Sequence, residues 1–188
     1  MTAAETLAIQ SEDELDTVAR LLASDHSTGG AHARVHLLEY GDYESASCSE
    51  AEQETRHLIE VFGHRLRFTY RHFPLAEHLR AEATAEAAEA AAAQDRFWPM
   101  HHLLFAHWQD LERDALTQCA EQAGLDMPPF TAAMDEHAYR ERVQEHWRSG
   151  ELIGLHGSPS FFLNGKVVDV SFGLAHLERA IRATLGER

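Results

Sequence analysis

The chain has 188 residues, 44% of them hydrophobic, enough for one well-buried core with room for an insertion. Its formal charge is -15 and Lys166 is the only lysine, so it lacks the basic surface that nucleic acid or an anionic membrane would need as a partner. No apolar run approaches the roughly 20 residues of a membrane span, the start lacks a signal-peptide pattern, and two cysteines give no disulfide framework, so a cytoplasmic protein is expected.

Residues 1–30 read as a leading helix and linker. Ser11 and Glu14 form a capping box ahead of Leu15, Val18, Leu21 and Leu22 at helical spacing, and the Ser, Thr and Gly content of 25–33 marks a connection. Residues 31–76 read as a βαβ unit with a right-handed crossover. Val35 to Tyr40 is a compact apolar run, a helix follows from Ser47 to Phe62 and stops at Gly63, and Leu66, Phe68, Tyr70 and His72 then alternate.

Residues 77–155 carry repeated helix signals and no strand. Glu77 to Ala93 is dominated by alanine and glutamate, and Phe97, Trp98, Phe105 and Trp108 supply core groups to a second helix, with Asp95 as its cap. Further helices follow at 115–123, after Met127-Pro128-Pro129, and at 139–153, which together make a helical insertion. Residues 156–188 reopen the sheet as ββα: Phe161 to Leu163, an Asn164-Gly165 hairpin turn, Val167 to Val170, and a helix from Leu174 to Leu185.

The chemistry concentrates between the first strand and its helix, in Ser45-Ala46-Ser47-Cys48. A cysteine at position 45 would be the reactive member of a C-x-x-C pair at a helix start, where exposure and the helix dipole favour a thiolate. Serine cannot form a disulfide and is scarcely ionised without a base, so exchange within this pair is excluded. Cys48 projects onto the apolar stripe of Ala51, Thr55, Leu58, Ile59 and Phe62, and Glu44, Glu50, Glu52 and Glu54 surround it with negative charge. Both effects oppose its ionisation. Ser47 and Glu50 also match a capping box, so the serines have a purely structural reading as helix starters. Cys119 reads as a small core residue. No metal site is expected: fourteen histidines are scattered without ligand spacing, and adjacent His101 and His102 point about 100° apart on a helix.

Four motifs in order carry a family resemblance: E-Y-G-D-Y at Glu39 to Tyr43, R-H-F-P-L at Arg71 to Leu75, F-W-x-M-H at Phe97 to His101, and G-S-P-S-F-F-L-N-G at Gly157 to Gly165. They resemble the bacterial DsbA-like branch of the thioredoxin superfamily over residues 25–186, with the first cysteine of C-x-x-C replaced by Ser45. The resemblance implies an α/β, thioredoxin-like fold with an inserted all-helical subdomain. It also implies a cis-proline at Pro159 facing the active corner, with Ser158 and Tyr43 as substrate-binding neighbours. Members of this family also occur as soluble domains appended to sodium-proton antiporters.

These readings imply a protein derived from thiol-disulfide oxidoreductases, with Cys48 and Ser45 in the catalytic positions and exchange lost or reduced. A groove would remain for a protein thiol, a peptide segment or a small thiol, with no cofactor. Two alternatives stay open. One is a monothiol oxidoreductase acting through Cys48. The other is a protein similar to kappa-type glutathione transferases, in which Ser45 would hold the thiolate of glutathione.

Overall fold

The computed structural model describes residues 21–171 and 173–187, so the helix expected from Ser11 lies outside the described residues. Five strands form one mixed sheet in the order β1-β3-β2-β4-β5. They are β1 (His26–Gly29), β2 (Val35–Gly41), β3 (Leu66–His72), β4 (Ser160–Leu163) and β5 (Lys166–Val168). β2 and β3 pair in parallel from Val35 opposite Leu66 to Gly41 opposite His72, while β1, β4 and β5 join antiparallel. The crossover between the parallel strands is α1 (Ala46–Phe62). Five helices separate β3 from β4: α2 (Ala81–Ala92), α3 (Phe97–Ala106), α4 (Arg113–Gln122), α5 (Met127–Asp135) and α6 (Arg140–Leu152). The last element is α7 (Ala175–Leu185). The fold is thus α/β and thioredoxin-like.

Alternation along β2 divides the core. Val35 and Leu37 join Leu58, Phe62, Leu177 and Ile181 on one face, in a cluster that runs on into α2–α5. Leu38 and Tyr40 pack on the other face with Phe73, Ile153, Leu155 and Phe162, with Trp147 of α6 against them. A strand buried on both faces is apolar at successive positions, which is why the run at 35–40 is nearly continuous. On α1 the buried positions include Cys48, Ala51, Thr55, Leu58 and Phe62, with Ile59 partly buried; this is the stripe that helical periodicity predicts.

Three local expectations need correction. The segment 25–33, expected to be a pure connection, contains β1. Its side chains are polar, but its backbone pairs from His26 opposite Tyr70 to Gly29 opposite Arg67, so the ladder and not hydrophobic alternation holds it. Gly29 is required there: its φ is +83°, and a Cβ would come within 2.2 Å of the Leu66 carbonyl oxygen. Asp95 does not cap α3; it takes a left-handed conformation (φ 57°) one residue before the capping position, which is Arg96. The third is the α1 cap, which Ser45 and not Ser47 provides.

Candidate functional site

α1 begins at Ala46, and its N-cap is Ser45, whose hydroxyl accepts a hydrogen bond from the Cys48 N–H at 3.4 Å. The capping box expected from Ser47 and Glu50 therefore does not form. Ser47 lies inside the first turn, with its Oγ 2.9 Å from that of Ser45. The helix starts two residues earlier than that motif implies because Ser45 is extended (φ -90°, ψ 124°), as an N-cap must be.

Cys48 is 0% exposed. Burial pushes its thiol up to about 12, and the Glu39 carboxyl on β2 adds to the effect. The Asp42 N–H donates to Cys48 Sγ at 3.4 Å and pulls the other way, as do the Ser158 and Ser45 hydroxyls. The Ser158 contact falls short of a formed hydrogen bond, since its buried Oγ has no partner at bonding geometry among the described residues. Desolvation outweighs all three, so the thiol stays protonated at neutral pH. The acids on α1 were expected to do this, yet the charge acting on the thiol comes from behind, on the sheet. Glu44, at the corner, is instead paired with Arg80 at 2.8 Å.

Glu39 is itself buried and held well above the usual carboxylate range, by desolvation first and by Glu52 second. Its Oε1 has no hydrogen-bond partner among the described residues.

Asp42 knits the corner to the loop after β3. Its Oδ1 accepts from the Glu44 N–H, and its Oδ2 accepts from the Leu75 N–H and lies against His78 Nδ1, each at 2.8 Å. Burial raises its pKa, and these same contacts restrain the rise. The Ser158–Pro159 peptide bond is cis. Ser160, next in line, opens β4, which pairs with β2 through Tyr40 opposite Ser160. The sheet thus delivers the Ser158-Pro159 loop to the end of β2 that carries the Cys48 corner.

Tyr43 does not join this surface. Expected to contact substrate, it is 1% exposed, its ring packs against Tyr70, His72 and Phe105, and its hydroxyl lies 2.9 Å from His101 Nδ1. Its side chain belongs to the core because α3 packs over the corner. Of the five residues singled out by sequence, Ser45, Cys48, Ser158 and Pro159 cluster and Tyr43 turns inward.

A cleft of about 620 Å³ adjoins the corner without including it. Phe73, Leu75 and Leu79 line one wall and Trp147 and Leu155 the other. Leu79 stands 90% exposed at its edge.

Sequence reasoning missed two histidine–carboxylate clusters. In one, Glu89 Oε1 lies 2.7 Å from His26 Nε2 and 2.9 Å from His72 Nε2, while Arg142 approaches Oε2 at 3.4 Å. In the other, Glu52 on α1 meets both His101 and His102 on α3. The adjacent histidines were expected to diverge, but one carboxylate lying between their two directions reaches both. Only the tertiary pairing of α1 with α3 brings these residues together.

A family model described as Thioredoxin matches residues 22–183. Among solved structures, a thioredoxin-like oxidoreductase from Silicibacter pomeroyi superposes with a TM-score of 0.79 at 20% identity, covering 92% of this chain and 98% of that one. The thiol-disulfide exchange protein alpha-DsbA2 from Wolbachia pipientis gives 0.79 at 15% identity, with 91% of each chain covered. BdbD from Bacillus subtilis gives 0.77 at 19%, covering 87% of this chain and 94% of its own. Among curated proteins, the Na(+)/H(+) antiporter NhaA 1 of Salinispora arenicola is 37% identical over 158 residues, which is 84% of this chain and 24% of the antiporter. The corresponding antiporter of Herminiimonas arsenicoxydans is 35% identical over 160 residues, 85% of this chain and 25% of its own length. The chain therefore spans about a quarter of the length of the curated relatives it matches.

Proposed function

The chain belongs to the thioredoxin family, and from that membership we propose that it is a DsbA-like thiol-disulfide oxidoreductase scaffold whose own disulfide exchange is lost or strongly reduced. What carries this reading is the state of the two active positions. The hydroxyl at position 45 is committed to the helix cap, and the sole thiol of the corner is sealed and protonated. Exchange needs an accessible thiolate to open a disulfide and a second thiol to resolve the mixed product. Neither is supplied.

What remains is recognition. The partner proposed is a protein thiol or an extended peptide segment, taken on the face between the Ser45–Cys48 corner and the Ser158-Pro159 loop. The apolar cleft beside that face supports this reading, because Leu79 and Trp147 offer surface to a partner's side chains. A reducing, cytoplasmic setting is part of the proposal and is supported by two cysteines that are both free and buried. The antiporter relatives share this module over a quarter of their length. Ion transport is not proposed for this chain: among the described residues no helix is long and apolar enough to cross a membrane. The monothiol alternative is disfavoured by the burial of Cys48, and a glutathione-holding Ser45 by the prior engagement of its hydroxyl.

An insulin-reduction assay tests the reading. The chain is expected to show no turnover, and Ser45→Cys is expected to gain it, since the scaffold around the pair is intact. Turnover by the unaltered chain that disappears in Cys48→Ala would overturn the proposal.

A further inference from the structure

Glu52 and His101 are buried and 3.4 Å apart, and Glu52 lies one helical turn from Cys48 on α1, yet the recognition reading gives them no task. Glu52 Oε1 lies 2.6 Å from His102 Nδ1, whereas Oε2 stands 3.4 Å from His101 Nε2, beyond the usual 2.7–3.2 Å of a nitrogen–oxygen hydrogen bond. One ligand atom from each of the three residues lies within 4.8 Å of the others. We propose that Glu52, His101 and His102 form a binding site for a divalent transition-metal cation, with zinc the cation best matched to two imidazoles and one carboxylate.

Two observations support the assignment, beginning with what holds His101 in place. Tyr43 Oη sits 2.9 Å from His101 Nδ1, so Nδ1–H can donate to it and leave the Nε2 lone pair facing Glu52, the arrangement that orients ligating histidines. Finally, the site is reachable. The His102 side chain is 38% exposed on a cleft of about 280 Å³ lined by Ser49, Gln53, Arg56 and Trp108, which leaves room for water as a further ligand.

The cluster at Glu89 is a poorer host. Both of its histidine Nε2 atoms lie against the same carboxylate oxygen and the Arg142 guanidinium approaches the other, so a dication would compete with a fixed positive charge for that carboxylate.

Bound at Glu52, the cation would clamp α1 to α3 beside Cys48. This inference stands independently of the recognition reading, because its test does not involve a thiol. Zn2+ is titrated calorimetrically into the chelator-treated full chain, and Co2+ is followed by its visible absorption. The expected result is one tight site that raises the melting temperature, is lost in Glu52→Gln and in His102→Ala, and persists in His26→Ala. His102 is partly exposed, so His102→Ala remains informative if Glu52→Gln folds poorly. Tyr43→Phe should weaken the site by roughly tenfold or more, as loss of the group that orients a ligating imidazole does. Absence of a tight site, a site indifferent to His102→Ala, or one abolished by His26→Ala would overturn the assignment.

Discussion

The protonated state of Cys48 can be read directly from its alkylation rate. With the thiol pushed up to about 12, the thiolate fraction at pH 7 is on the order of 10⁻⁵, against a few per cent for an unperturbed cysteine of pKa ~8.5. Iodoacetamide reacts with the thiolate, so Cys48 in a Cys119→Ala background should react on the order of a thousandfold more slowly than a free thiol at pH 7. Its complete burial can only slow it further. The dependence on pH is as diagnostic as the rate: log rate should climb by one unit per pH unit through pH 9 without levelling. Mass spectrometry of the alkylated chain over a pH series provides the measurement. A plateau reached by pH 9, or reactivity at pH 7 within tenfold of a free thiol, would refute the claim that desolvation governs this sulfur, and the monothiol reading would then be the better one.

Two further substitutions test the surroundings of the corner. Glu39 has a folded-state pKa above its unfolded value, so the folded chain holds the proton more tightly, and this contribution to stability is lost as pH rises from about 4.3 toward the folded value. Glu39→Gln should therefore gain stability relative to the unaltered chain between pH 5 and pH 8, read as urea midpoints, and a difference that does not change with pH would reject this account. Asp42→Ala leaves the Leu75 and Glu44 N–H groups without their acceptor and should cost about 3 kcal/mol, or roughly 6–12 °C in melting temperature for a chain of this size. The loop role of Asp42 fails if the Leu75 amide keeps its full hydrogen-exchange protection in that variant.

The fold was legible in the sequence because its two main periodicities are strong. The apolar group of Val35, Leu37, Leu38 and Tyr40 and the helical stripe from Cys48 to Phe62 are each strong enough to specify an element and its buried face. What could not be read depended on distant partners. β1 has no apolar pattern and exists through its ladder with β3. Tyr43 reads like a surface aromatic beside an active corner until α3, more than fifty positions later, covers it and offers His101. The sequence points to the acids along α1 as the charge acting on Cys48, but the relevant carboxylate lies on the adjacent strand, since distance through a core and not along a chain sets the interaction. Ser45 and Ser47 illustrate a narrower limit: both residues suit an N-cap, and the backbone conformation at position 45 decides between them.

That choice of cap bears on why serine stands at the position where exchange would require sulfur. A serine oxygen is among the preferred N-cap acceptors, whereas sulfur is a weak one, so the residue that removes the nucleophile also improves the start of α1. At 3.4 Å the cap bond is long, and its contribution should fall near the low end of the usual range, about 0.5–1 kcal/mol. Ser45→Cys should then separate two effects of opposite sign. Under reducing conditions the variant is expected to unfold at lower denaturant than the parent by that small amount, while insulin-reduction activity appears. If the variant gained exchange and reduced-state stability together, the serine could not be explained by the cap. Recognition of a partner that specifically needs an unreactive corner would then have to account for it alone.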